Sequence, residues 1–195
     1  LLGAAGDFTV GMGFAAQTSL ANLISGLFLL IERPFKIGDT ITAKGFTGIV
    51  ESIDLLSTRL CTTDNALVRI PNENIMQAEI INLSYFKKRA VTLLIGVEYG
   101  TDFEKIRTVL LNVAKENSLV LSEPKPKVVV ESFGRSSINI QLSVWGLTPD
   151  YSNLKNSIQE AIQSVFEKEG INMAFPQVIV RPMKEKILDT SMNSE

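Results

Sequence analysis

Hydrophobic and polar positions divide the chain into stretches of different period. The first is a run without a charge from Phe8 to Ile31, closed by Glu32 and Arg33. At ~1.5 Å per residue, a helix of that length crosses a hydrocarbon core of ~30 Å. All 19 Lys and Arg follow the run, so its C-terminal end is expected to face the cytoplasm. Pro34 lacks an amide hydrogen and disfavours helical backbone at the residue before it, which places the helix end near Glu32-Arg33.

From Phe35 to Leu83 the pattern shortens to strands set off by turn signals. Gly38-Asp39 precedes Thr40-Ile41-Thr42, and Lys44-Gly45 precedes a strand from Gly48 to Ile53. Ser57 to Thr63, an Asp64-Asn65 turn and Leu67 to Ile70 follow, then a turn or single helical turn at Pro71 to Ile75 and a last strand from Glu79 to Leu83. This spacing predicts a small closed β-barrel, similar to the Sm-type fold, over residues 34–89. From Ala90 strands and helices alternate. Val91, Leu93, Ile95 and Val97 share one side of a strand, and Thr101-Asp102-Phe103-Glu104 forms a capping box for a helix with Phe103, Ile106, Leu110 and Val113 inward. Strands follow at Lys127 to Phe133 and around Ile138, Ile140, Leu142 and Val144. A helix with the stripe Leu154, Ile158, Ile162 and Val165 then runs to Gly170, and a strand from Gln177 to Arg181 closes the order βαββαβ. That order predicts a ferredoxin-like α+β domain over 90–182, with a C-terminal tail at 183–195.

The uncharged run is not an ordinary lipid-facing helix, because it carries Thr9, Gln17, Thr18, Ser19, Asn22 and Ser25 beside Gly11, Gly13 and Gly26. At 100° per residue, Val10 and Phe14 share a face whose centre lies about 80° from Gly11 on one side and Gly13 on the other. Small residues on both flanks of a bulky line suit a ring of identical helices. Their backbones approach at Gly11 and Gly13 while Val10 and Phe14 point into the central hole. Rings of those two side chains make an apolar constriction that blocks ions by dewetting.

Composition narrows the chemistry. The 195 residues are 45% hydrophobic and 21% charged, enough to build folded cores. A net charge of −2 supplies no basic field for nucleic acid. The β-rich stretch is not basic either, and Phe46 is its main candidate for stacking on a base, so the RNA-binding use of an Sm-type barrel is not expected. The chain has no His, which removes Ser-His-Asp, Cys-His and HExxH chemistry, and its one cysteine, Cys61, is expected to be a buried structural thiol. Gly11-Met12-Gly13-Phe14-Ala15-Ala16 fits a dinucleotide-binding fingerprint, with Glu32 at a fitting distance. That enzyme reading needs a strand at Asp7 to Val10 and a second βα unit after Glu32, where Arg33-Pro34-Phe35 stands instead. We expect no enzyme and no cofactor. The chain opens Leu1-Leu2-Gly3 without an initiator Met or a basic leader, and a segment upstream is expected.

Several stretches in order carry a resemblance to a known family: Leu2 to Gly6, Gly13 to Gly26, Arg33-Pro34-Phe35-Lys36-Ile37-Gly38-Asp39, Ile70-Pro71-Asn72, Ser136-Ser137-Ile138-Asn139 and Val144-Trp145. Together they resemble the small-conductance mechanosensitive ion channels over nearly all of residues 1–182. The resemblance implies a pore-lining transmembrane helix at 1–33, kinked near 17–19, followed by the two domains that form a cytoplasmic vestibule. It implies a homoheptamer in a bacterial-type inner membrane, touching lipids and passing ions and small solutes, with tension-sensing helices upstream of residue 1. Tension would open the pore and relieve hypo-osmotic stress. By position Val10 and Phe14 match the constriction, Gly11 and Gly13 the packing positions, and Gly26 a flexible point. Val178-Ile179-Val180 matches a strand that closes a small barrel between chains.

The sequence departs from the family pattern at three places. Thr18 stands at the kink where many relatives have Gly, so bending there falls to the Gln17-Thr18-Ser19 side chains competing with the backbone. Phe14 is bulkier than the aliphatic residue common at the lower ring. Asp7-Phe8-Thr9 reads as an insertion, with Asp7 one turn before Val10 at the outer pore mouth. It is either an interfacial charge at a helix end or a ring that enriches cations.

Overall fold

The structure, a computed structural model, describes the backbone of residues 2–175 and the side chains of residues 16–175. The expected strand at Gln177 to Arg181 and the tail at 183–195 lie outside the described residues. The chain divides into two compact units, Leu1–Arg89 with Gly146–Tyr151 and Ala90–Trp145 with Ser152–Glu195.

In the first unit, helix α1 runs uninterrupted over Leu2–Glu32. Arg33 ends it at φ +50°, in left-handed backbone, and Pro34 after it has no amide hydrogen with which to continue the helix. Among the described residues no helix is long and apolar enough to cross a membrane; the expected span begins at Phe8, ahead of the described side chains. Strands β1 (Thr40–Ala43), β2 (Phe46–Ile53), β3 (Ser57–Cys61), β4 (Leu67–Pro71) and β5 (Ile80–Asn82), with the short helix α2 (Asn72–Met76) before β5, form an antiparallel sheet in the order β4-β3-β2-β1-β5. Lys44 and Gly45, both at positive φ, make the two-residue turn between Ala43 and Phe46. Every strand sends a residue into one core: Ile41 and Ala43 from β1, Val50 and Ile53 from β2, Leu60 from β3, Val68 and Ile70 from β4, and Ile80 from β5. Both edge strands, β4 and β5, reach that core, so the sheet bends around it.

Cys61 is half-buried rather than buried, because it lies on the outward side of β3 with its thiol near Thr62 O and Asn65 Oδ1. In the turn after it, the Thr62 hydroxyl donates to the Asp64 carboxylate and holds the Asp64 pKa below the usual carboxylate range.

The second unit holds β6 (Lys88–Val97), α3 (Phe103–Glu116), β7 (Lys127–Phe133), β8 (Ile138–Leu147) and α4 (Tyr151–Glu169), with a sheet ordered β6-β8-β7. Alternate residues of β6 and β8 are buried, with Ile106, Leu110, Val113 and Ala114 of α3 and Leu154, Ile158, Ile162 and Phe166 of α4. The cap of α3 is Asp102, whose carboxylate accepts from the Glu104 and Lys105 amides. Thr101, the N-cap of the expected capping box, donates its hydroxyl to Glu98 O at 2.8 Å instead, so the cap falls one residue later. Gly170, at φ +65°, ends α4, and Ala174 N then donates to Gly96 O at 3.0 Å on β6.

Candidate functional site

Along the described part of α1, residues 16–32, the buried positions are Asn22, Gly26 and Leu29, a single line down the helix. Each meets the β-rich unit differently. Leu29 is 1% exposed and belongs to the sheet's core. Gly26 lies so close that a Cβ there would sit 2.5 Å from both Asn72 Nδ2 and the Leu55 carbonyl oxygen. A methyl group has no room, so glycine sets the distance between helix and sheet. Asn22 donates to Thr18 O at 2.8 Å and accepts from the Glu73 amide at 3.0 Å. That amide is in the first turn of α2, whose own N-cap is Pro71 and offers no side-chain acceptor. An α1 side chain therefore completes α2.

Asn72 joins these contacts. It is fully buried; Thr58 Oγ1 donates to its Oδ1 at 2.9 Å, and its Nδ2 donates to Asp54 O at 2.8 Å. Its amide donates to Leu56 O at 3.0 Å. Among the described residues no buried side-chain polar atom lacks a partner. The sequence signals this role of Asn72 only as a short amide directly after a proline that ends a strand.

The stretch Arg33 to Asp39 forms a clasp beyond the helix. Phe35 is 2% exposed and fills the core. Gly38 turns at φ +93°, and Asp39 Oδ2 accepts from the Lys36 amide at 3.0 Å and from Asn82 Nδ2 at 2.9 Å. Asn82 Nδ2 also reaches Pro34 O at 3.2 Å, tying the last strand to the helix end.

Of the residues expected to act, Asp7, Val10, Gly11, Gly13 and Phe14 all fall within α1, and their side chains lie outside those described. Gln17 and Thr18 are exposed and helical. The fingerprint reading of Gly11 to Ala16 is overturned: α1 begins at Leu2, so these residues lie inside a helix and not at a turn between strand and helix.

Residues 18–85 match the mechanosensitive ion channel β-domain, and residues 91–173 match the C-terminal domain of the mechanosensitive ion channel MscS. The chain belongs to the MscS family. An MscS family protein of Synechocystis is 41% identical over 177 residues, spanning 91% of this chain and 59% of its own length. A protein of Edwardsiella ictaluri named small-conductance mechanosensitive channel is 32% identical over 171 residues, spanning 88% of this chain and 60% of its own. The chain thus spans about three-fifths of these relatives. The crystal structure of Helicobacter pylori MscS in its closed state superposes with a TM-score of 0.88 at 25% identity, over 93% of this chain and 72% of that one. In MscS terms, the seat of Asn22, Gly26 and Leu29 joins α1 to the β-domain, and the β6-to-α4 unit is the C-terminal domain.

Proposed function

We propose that the full-length protein is a mechanosensitive channel opened by membrane tension, and that this chain supplies its pore helix and cytoplasmic vestibule. The observation that carries this reading is the uneven cover of α1. One line of the helix is seated on the β-domain, while Leu20, Leu23, Ile24, Leu27, Phe28 and Ile31, on other faces, are 40–67% exposed. A helix apolar on nearly every side, bound along one line, needs lipid or further copies of itself around it. Family membership and the name of the Edwardsiella relative support the same reading.

In this reading Val10 and Phe14 form the hydrophobic gate, Gly11 and Gly13 the seams between helices, and Gln17 and Thr18 the bend. Gly26 sits at a second bend whose freedom the Asn72 and Leu55 contacts limit. The β-domain is an Sm-like barrel and the C-terminal domain a ferredoxin-like vestibule wall. Seven chains assemble in a bacterial-type inner membrane, with lipid outside and ions and small solutes passing through under hypo-osmotic stress. Tension favours the state of larger in-plane area, in which the Val10 and Phe14 rings withdraw and hydrate.

Patch-clamp of the full-length protein in a reconstituted bilayer tests the reading. Suction is expected to open discrete currents absent from empty bilayers, and silence at lytic tension overturns it. The same recordings in a salt gradient decide on Asp7. A cation-enriching ring predicts that Asp7→Asn moves the reversal potential away from the cation side, whereas an unmoved potential makes Asp7 an interfacial charge.

A further inference from the structure

Strand β6 lies at the edge of its sheet, with β8 on one side. On the other side the chain after α4 begins a second ladder. Glu98 N donates to Asn172 O at 3.3 Å, Ala174 N donates to Gly96 O at 3.0 Å, and Val97 bridges Met173 in antiparallel register. Main-chain groups alternate between the two sides of a strand, so those of Leu94 and Thr92 point the same way as those of Gly96. In this register Pro176 is the next residue due to donate, to Leu94 O, and proline has no amide hydrogen. The ladder cannot run past Ala174 in that register. Among the described residues no main-chain bond reaches Leu94 or Thr92 from this side.

The open edge is one wall of a groove of about 430 Å³, and Lys155, Gln159, Ile162 and Gln163 of α4 form the other. Leu94 and Met173, which also line it, are 64% and 40% exposed. Lys155, Gln159 and Gln163 stand four residues apart, about 6 Å along a helix, close to the ~6.7 Å between alternate side chains of a strand. Gln163 is at the Met173 end, since both also border the hollow beside Phe175. A strand laid antiparallel to β6 therefore sets one series of side chains against Gln163, Gln159 and Lys155 in turn, and the other series beside Leu94. Lys155 is exposed and makes no ion pair with any described residue. A free carboxylate leaves the strand edge unpaired and a neutral strand leaves Lys155 unpaired, whereas an acidic strand satisfies both.

We propose that this groove takes an extended acidic segment of another protein by strand addition to β6. The segment's amides and carbonyls pair with those of Leu94 and Thr92, its apolar side chains cover Leu94, and a carboxylate of the other series pairs with Lys155. The groove lies wholly within the second unit, so the proposal goes beyond the channel reading of α1 and does not depend on it.

The test follows the fluorescence anisotropy of a labelled peptide titrated with full-length protein in detergent. The probe is fluorescein-Val-Thr-Val-Thr-Val-Glu-Val-amide, whose valines fall beside Leu94 and whose glutamate falls at Lys155. It is compared with the same peptide carrying glutamine for glutamate, and with one N-methylated at its valines, whose amides face β6. The glutamate peptide is expected to bind about ten-fold more tightly than the glutamine peptide. Lys155→Gln, at an exposed position, is expected to abolish that difference, and Lys155→Arg to keep it. N-methylation is expected to weaken binding about ten-fold or more through the lost main-chain bonds. Equal binding of the N-methylated peptide overturns strand addition. Equal affinity for the glutamate and glutamine peptides, or a difference that survives Lys155→Gln, overturns the acidic partner. Binding only to protein lacking residues 183–195 overturns the proposal in favour of the chain's own tail, and binding only to the dissociated single chain overturns it in favour of a second copy. Silence from every form overturns the groove as a docking site.

Discussion

At the residue scale, Asn72 joins contacts that lie far apart in sequence. Its side chain accepts from Thr58, donates to Asp54 O and stands against Gly26, all without solvent exposure. Asn72→Ala removes the acceptor from a hydroxyl that water does not reach, so a loss of about 1–3 kcal/mol is expected. Much of that loss is the stranded Thr58 hydroxyl and not the bond itself. Thr58→Val removes the hydroxyl, so the double variant should be more stable than the sum of the single losses by about 0.5–3 kcal/mol. Thermal unfolding of the four purified full-length forms measures this, and strict additivity would show that Thr58 finds another acceptor. Leu29 and Gly26 act by shape on the same seat, one filling the core and the other admitting the Leu55 carbonyl.

At the scale of elements, α1 is seated on the β-domain along its C-terminal half, and the proposed function gives its N-terminal half the gate. Phe14→Ser tests the second. A polar side chain in an apolar ring eases wetting, so the variant is expected to open at lower tension or to leak at rest, read as the threshold in patch-clamp or as growth inhibition in cells. An unchanged threshold removes Phe14 from the gate. Much of the element plan was legible because alternation and turn chemistry are local: β7 spans Lys127–Phe133 as its pattern predicts, and Lys44-Gly45 turns where expected. What depends on distant partners was not. The stripe of α4 continues through Phe166, fully buried at four-residue spacing from Ile162, while Val165, on the same face at three-residue spacing, is half-buried. Cys61 alternates outward on β3, a matter of register that its composition does not reveal. Gly26 read as a flexible point, since its close contact involves Leu55 and Asn72, both remote in sequence. Likewise Gly146–Tyr151 return to the first unit, where Thr148 N donates to Lys87 O and Arg89 stacks on Tyr151 at 3.9 Å.

At the scale of the whole molecule, the uncovered surface of α1 sets the question of how many chains assemble. In a ring around an axis, each helix presents one face to the central hole, two flanks to its neighbours and the remainder outward. On α1 the small flanks at Gly11 and Gly13 stand symmetrically about Val10 and Phe14, which fits a closed ring better than a two-fold pair, where one face meets its own copy. Geometry of the flanks alone leaves the number open; the MscS resemblance supplies seven. Native mass spectrometry of the full-length assembly in detergent is therefore expected to give seven times the chain mass. A six- or eight-fold mass would keep the ring and reject the count carried over from the family. A dimer or monomer that still conducts under suction would reject the ring itself, and with it the placement of Val10 and Phe14 in a shared central hole.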